Sequence, residues 1–234
     1  MTKSQNLFEQ FRAMIQTDNI IADLANGLIG HHAIISGPLG NRPLLYADYV
    51  ASGRALRQIE DFVLAELLPF YANSHTEASY VGGFMTNLRR EARDILRAEV
   101  NASKDHAVIF TGSGATAGIN RIAHLIGLEE MVSKRLTPVV LIGPYEHHSN
   151  ILPWRESGAE VIEVLEAEGG GPCMTSLSQT LKRVKGRPIV GAFSAASNVS
   201  GIVTDVVAVT RVLKAAGAIV VWDYAGGAPY LPID

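Results

Sequence analysis

One cysteine, Cys173, is all that the 234 residues contain, so no disulfide can form within the chain and no cysteine-rich zinc site can be built. That usage suits a reducing compartment, and a cytoplasmic location is expected. Charge is also sparse: 18% of residues are charged and the formal net charge is -3, which leaves no basic surface to attract nucleic acid or an anionic membrane. No apolar run approaches the roughly 18–20 residues needed to cross a bilayer. The N-terminal "MTKSQNLFEQFRAMIQTDN" lacks the uninterrupted apolar centre of a signal peptide. Its Leu7, Phe8, Phe11, Met14 and Ile15 predict an amphipathic helix instead. Internal repeats and low-complexity tracts are missing too, and the glycine-rich "EAEGGGPC" reads as a turn joining two elements.

Apolar residues are abundant at 47%, enough for a substantial core. From His106 onward, short β-branched runs alternate with helical patterns, the signature of βαβ units and a parallel sheet. The predicted strands are "AVIFTG", "VVLIG", "EVIEVL", "IVGAFS" and "AIVVWD". Helices are predicted near Ala115–Leu125, Ile151–Ser157, Ser176–Lys185 and Asp205–Ala216. The strands are continuously apolar, which predicts burial on both faces beneath two helical layers. In the first hundred residues, "LLYADYVASG" predicts one strand and a turn, followed by helices near Arg54–Leu68 and Gly83–Val100. Pro69 should end the first of these.

In open α/β sheets ligands bind beyond the carboxyl ends of the strands, and three loops occupy such positions. The first, "TGSGATAG" (Thr111–Gly118), combines glycines, a helix N-terminus and the hydroxyls of Ser113 and Thr116, a set suited to phosphate. A tight turn with Ser113 as helix cap is the alternative. The loop also matches the dinucleotide fingerprint through Gly112, Gly114 and Ala117. The acidic residue that should follow about 20 positions later is not in place, because Glu129 and Glu130 precede the next strand and Glu146 comes too late. The second loop, "PYEHHSNILPW" (Pro144–Trp154), offers histidines able to ligate metal, act as a base or stack on an aromatic cofactor. No cysteine or further closely spaced histidine completes a metal site, so none is expected. The third, "VVWDYAGG", delivers Asp223 at the end of a buried strand. A carboxylate there needs a partner or water, and the ring nitrogen of a pyridine would serve.

In their order and spacing, "SGAT", "EHHSNILPW" and "SNVSG", with "YADYVASG" ahead of them, resemble the class V aminotransferase family of fold type I pyridoxal phosphate enzymes, particularly its cysteine desulfurase and selenocysteine lyase branch. The resemblance spans roughly Leu44 to Asp223. It implies an α/β fold, a three-layer αβα arrangement around a mainly parallel sheet, with residues 1–43 a helical segment and 44–234 an incomplete large domain. It implies that Ala115 and Thr116 bind the cofactor phosphate. His147 would stack on the pyridine ring and could serve in acid–base work, Asn198 would hydrogen-bond the ring hydroxyl, and Asp223 would pair with the ring nitrogen. A looser similarity puts Asn73 and His75 in a substrate-facing loop; exposed loop polarity also explains them. The implied substrate is an amino acid and the implied assembly a homodimer.

Two departures stand out. Desulfurases carry glutamine three residues after the ring-nitrogen aspartate, where this chain has Gly226. The Schiff-base lysine of the family follows a histidine one strand beyond the aspartate, and none of Lys3, Lys104, Lys134, Lys182, Lys185 and Lys214 takes that position. The chain is therefore expected to be an N-terminal portion without activity of its own, with Cys173 incidental. Its strand "AVIFTG" should find neighbours only beyond Asp234, which predicts poor solubility. A non-catalytic binding protein and, further off, a dinucleotide-binding domain are the alternative functions.

Overall fold

The computed structural model describes residues 7–233. These fall into two compact units, one of residues 7–109 with Ile233 and the other Phe110–Pro232.

The first unit opens with helices α1 (Leu7–Ile15) and α2 (Ile20–Asn26). A hairpin follows, β1 (Ile34–Gly37) paired antiparallel with β2 (Gly40–Pro43) around Pro38 and Leu39. Gly40 takes φ 88° there, a left-handed conformation that glycine adopts without a Cβ clash. Helix α3 (Arg57–Phe62) runs on through a π-turn at Val63–Leu67 into a 3-10 turn at Leu68–Phe70. Pro69 lies in this last turn, and the helix stops where expected. Helix α4 (Tyr80–Glu99) is capped by Ser79, whose Oγ accepts from Gly82 N–H at 3.1 Å. Leu7, Phe84 and Leu88 are buried together, flanked by Phe8, Phe62, Leu67, Phe70 and Met85. The expected strand at "LLYADY" is not formed. Its first amide, Leu44 N–H, makes a single bond back to Ala33 O at 2.8 Å, and Leu45 is 88% exposed. An apolar triplet without a neighbouring ladder has no reason to stay extended.

The second unit begins with α5 (Gly114–Ile126) and α6 (Leu128–Ser133), a short helix that the sequence did not predict. Gly127 joins them at φ 76°. Then come β3 (Val139–Ile142), α7 (Leu152–Glu156), β4 (Glu160–Glu163), α8 (Met174–Arg183), β5 (Ile189–Ser194), α9 (Val206–Ala215) and β6 (Ile219–Asp223). The strands form one parallel sheet in the order β4-β3-β5-β6.

Alternation along the strands splits the core into two layers. Val139, Leu141, Ile189 and Phe193 point to the face covered by α8 and α9, against Leu177, Leu181, Val209 and Leu213. Val140, Ile142, Val190 and Ala192 point to the other face, against Ile119, Ala123, Leu128 and Trp154 of α5 to α7. Gly191 leaves room for α9, since a Cβ there would lie 2.5 Å from Leu213 Cδ1. The chain leaves β3 toward β4, then returns past β3 to β5. This reversal puts α7 and α8 on opposite faces and opens a crevice at the carboxyl ends of β3 and β5.

The strand predicted at "AVIFTG" is not formed: Ala107–Phe110 belongs to neither sheet of the described residues. Ile109 is 60% exposed. Its composition favours a strand, but the sheet order supplies no ladder for it.

Candidate functional site

Helix α5 starts at Gly114, which like Gly112 has a positive φ (69° and 110°). Ser113 occupies the N-cap position, yet its side chain makes no capping bond, unlike Ser79 of α4 or Asp205 of α9. The first-turn N–H groups are thus left to a ligand or water. Ala115 and Thr116 sit in that turn. Thr116 Oγ1 lies 2.7 Å from Ser149 Oγ, and Ser149 Oγ lies 3.0 Å from His147 Nδ1. Ser149 N–H donates to the same Nδ1 at 3.3 Å, which gives a neutral His147 ring the Nε2–H tautomer. The phosphate-type loop and the histidine loop are joined through one serine hydroxyl.

The loop after β3 is anchored by a residue that the sequence had considered only for a ribose. Glu146 accepts from Ser194 N–H at 2.8 Å, from Ser194 Oγ at 2.6 Å and from Asn150 Nδ2 at 2.6 Å. Asn150 Oδ1 in turn accepts from Trp154 Nε1 at 2.9 Å, and both of those residues are fully buried. Gly143 makes the turn possible: a Cβ there would stand 2.6 Å from Glu146 Oε1 and 3.0 Å from Phe193. The spacing of Glu146, Asn150 and Trp154, four residues apart, was the available signal for this group; Ser149 and Ser194 carried none.

Burial pushes the Glu146 carboxyl above its ordinary value of 4.5; bonds from Ser194 and Asn150 oppose the shift, and the nearby Asp223 charge adds to it. The folded state therefore holds this proton more tightly than the unfolded state. The stabilisation from this group is full below pH 4.5 and is lost as pH rises through the raised value. Melting temperatures of the wild type and Glu146→Gln, compared from pH 4 to 7, are expected to show the wild type losing ground to the variant as pH rises.

Asp223 ends β6, is buried, and pairs in register with Ser194 of β5. Its Oδ1 accepts from Ala225 N–H at 2.8 Å, while among the described residues Oδ2 takes no hydrogen bond. Tyr145, beside Glu146, donates its hydroxyl proton to Glu166 and accepts from Gly171 N–H at 2.8 Å. The glycine-rich turn is thereby tied to the same edge of the sheet. The hydrogen bond to Glu166 is the main reason that the Tyr145 phenol is pushed above its ordinary range.

Thr116, His147 and Asp223 thus lie at the carboxyl edge of a single sheet, linked through Ser149, Glu146 and Ser194. Asn198 is exposed on the turn after β5, outside both hydrogen-bond chains. Asn73 and His75 are exposed in the other unit. Cys173 caps α8, its Sγ accepting from Ser176 N–H at 3.5 Å. Lys182 and Lys214 sit near the C-terminal ends of α8 and α9, and Lys185 and Lys134 follow α8 and α6; all four are exposed. Helices connecting parallel strands run opposite to them, so these ammonium groups belong to the amino edge, away from Asp223. Lys3 lies outside the described residues. Among the described residues no cluster of His, Cys, Asp and Glu could hold a metal ion, and no helix is long and apolar enough to cross a membrane.

A model of the family described as "Aminotransferase class-V" matches residues 45–234. The chain belongs to that family. Among relatives, it is 27% identical over 196 residues to a protein of Streptomyces coelicolor named "Probable cysteine desulfurase", covering 82% of this chain and 46% of that one. A protein of the same name in Pyrococcus abyssi is 28% identical over 192 residues, with 82% and 46% covered. The chain thus spans about half the length of these curated relatives. In fold it is similar to the apo cysteine desulfurase of Thermococcus onnurineus, with a TM-score of 0.74 and 21% identity, covering 93% of this chain and 50% of that one. The parallel sheet between two helical layers is accordingly that of the fold type I large domain, as the class-V resemblance implied.

The donor set fits the class-V cofactor. Open N–H groups at the start of α5 and the Thr116 hydroxyl suit a phosphate, and a free oxygen on a buried acid suits a protonated ring nitrogen.

Proposed function

We propose that this chain forms the cofactor-cradling part of a pyridoxal phosphate-dependent enzyme of the cysteine desulfurase type, acting on an amino acid. The observation that carries this reading is the meeting of Thr116, His147 and Asp223 at the carboxyl edge of one parallel sheet. In it, Ala115 N–H and Thr116 hold the phosphate at the positive end of α5. His147, its ring plane set by Ser149, covers one face of the pyridine. Asp223 keeps a proton on the ring nitrogen through Oδ2, and Asn198 reaches the ring hydroxyl. When bound, the cofactor supplies an electron sink for a carbanion formed on the amino acid. Asp223 is 7% exposed, so solvent screens its attraction for that proton less than at an open surface.

The reading takes the 234 residues alone to be without turnover. Lys134, Lys182, Lys185 and Lys214 are exposed on the far edge, where none can supply the amine or the base that moves a substrate proton. It also takes the full-length protein to be a cytoplasmic homodimer.

Titration of the purified chain with pyridoxal 5'-phosphate, followed by absorbance and by quenching of Trp154 and Trp222, tests it. Saturable one-to-one binding is expected. Thr116→Ala should weaken it roughly 10-fold, the lower end of the range for one hydrogen bond to a charged group. Borohydride reduction and mass mapping should find no single lysine labelled. Specific labelling of one lysine would overturn the inactive reading, and the absence of binding would overturn the cradle.

A further inference from the structure

Three of the roughly four lone-pair positions of the Glu146 carboxylate are taken, by Ser194 N–H, Ser194 Oγ and Asn150 Nδ2. Those bonds engage the group with its own neighbours in the fold. Its partners, however, join two pieces of the site that come from different strands. On one side Glu146 immediately precedes His147. On the other, Ser194 is the register partner of Asp223, and Ala195 N–H donates to Asp223 O at 2.9 Å. The carbonyl of Ser194 is held as well, accepting from Thr204 Oγ1 at 2.8 Å. Behind Glu146, Asn150 is fixed by the Trp154 indole in the core. Burying a carboxylate is costly unless it is hydrogen-bonded, and here its three bonds all serve one link.

We propose that Glu146 is a positioning residue: its carboxylate locks the His147 loop to the end of β5, so that the stacking ring and the Asp223 carboxylate keep a fixed separation. The proposal rests on the cofactor reading above and adds to it the element that sets the width of the cradle. It acts through His147 and Asp223, and the group itself touches neither the phosphate nor the ring.

The geometry supplies its own test. In E146Q an amide nitrogen faces Asn150 Nδ2, donor against donor. Asn150 cannot turn its amide to help, because its Oδ1 is needed by Trp154 Nε1. In the double variant E146Q/N150D, the carboxylate introduced at position 150 accepts from both the amide introduced at position 146 and the Trp154 indole. This rebuilds the chain while moving the negative charge away from Asp223. The probes are pyridoxine 5'-phosphate, which has no aldehyde and needs no lysine, and inorganic phosphate. Calorimetry gives the affinities, and NMR of the ring signals of His147 reports its tautomer and mobility.

E146Q is expected to bind pyridoxine 5'-phosphate roughly 10-fold more weakly, the loss of a bond to a charged acceptor, with inorganic phosphate changed by less than about two-fold. Its His147 signals should split or broaden. The double variant should return to within about three-fold of the wild type, with one sharp set of His147 signals. Should E146Q not fold, S194A removes one donor and keeps the charge, with a loss of about three-fold expected. Wild-type affinity in E146Q, or in S194A used in its place, would overturn the proposal. So would a double variant that melts like the wild type yet binds as weakly as E146Q, since charge and not the link would then be the cause. If the wild type binds neither probe, the cofactor reading fails, and the His147 signals of the three chains still decide whether Glu146 positions the loop.

Discussion

Trp154→Ala is expected to lower the unfolding free energy of the sheet-bearing unit by about 3–5 kcal/mol, the range for removing a large aromatic from a packed core. Trp154 is fully buried between α7 and the sheet, packed with Val140, Ile142 and Val190. Its loss also leaves Asn150 Oδ1 without the indole donor, in a place that water does not reach. A lowered denaturant midpoint with an unchanged slope, read by far-ultraviolet circular dichroism, is the signature to look for. Trp154→Phe largely separates the two causes, because it keeps the larger part of the apolar volume while removing the N–H. It should cost about 1–2 kcal/mol, the penalty of an unpaired buried acceptor. A Trp154→Ala protein as stable as the wild type would mean that the indole is not a keystone of this face.

Asp223→Ala carries the largest expected effect on binding. Under the cofactor reading, Asp223 Oδ2 is the acceptor for the protonated ring nitrogen. A charge-assisted bond in a partly dry site contributes about 1.5–3 kcal/mol, so affinity for pyridoxal 5'-phosphate should fall roughly 10- to 100-fold. Inorganic phosphate, which needs only the start of α5, should bind as before. The absorbance of the bound pyridine should also shift toward that of the unprotonated ring. Asp223→Asn discriminates further: it fills the same volume and keeps an acceptor for Ala225 N–H but offers no charge. It should therefore fold normally and bind nearly as poorly as the alanine variant. Equal affinity for wild type and Asp223→Asn would remove the acid from the cofactor's environment and with it the reading of Asp223.

Four of the five strands expected after His106 are present within a residue or two, as are α5, α7, α8 and α9. Those strands were legible because a central parallel strand, buried on both faces, is written as an unbroken apolar run. "AVIFTG" and "LLYADY" are written the same way and form no strand, since the apolar run encodes readiness to pair and carries no information about a partner. The hairpin at Ile34–Pro43 was missed for the converse reason. Every residue in it is exposed, so no alternation marks it, and it is made by a tight turn alone. The placement of Thr116, His147 and Asp223 at the carboxyl edge was legible because each ends a strand, follows one or opens a helix, positions that the order of elements defines. Glu146 and Ser149 were not. Glu146 takes its meaning from Ser194, 48 residues away, and Ser149 from Thr116, 33 residues away.

By itself the sequence determined the class of fold, most of the order of its elements and which loops would gather at the carboxyl edge of the sheet, because these follow from local periodicity and from the residues that end each element. Tertiary structure alone decided which residues hold those loops together. The register of β5 on β6 sets Ser194 beside Asp223, and the return of the chain past β3 brings Glu146 onto Ser194. Hydrogen bonds between residues so distant in the chain depend on strand order and register, and neither is written in any local stretch of it.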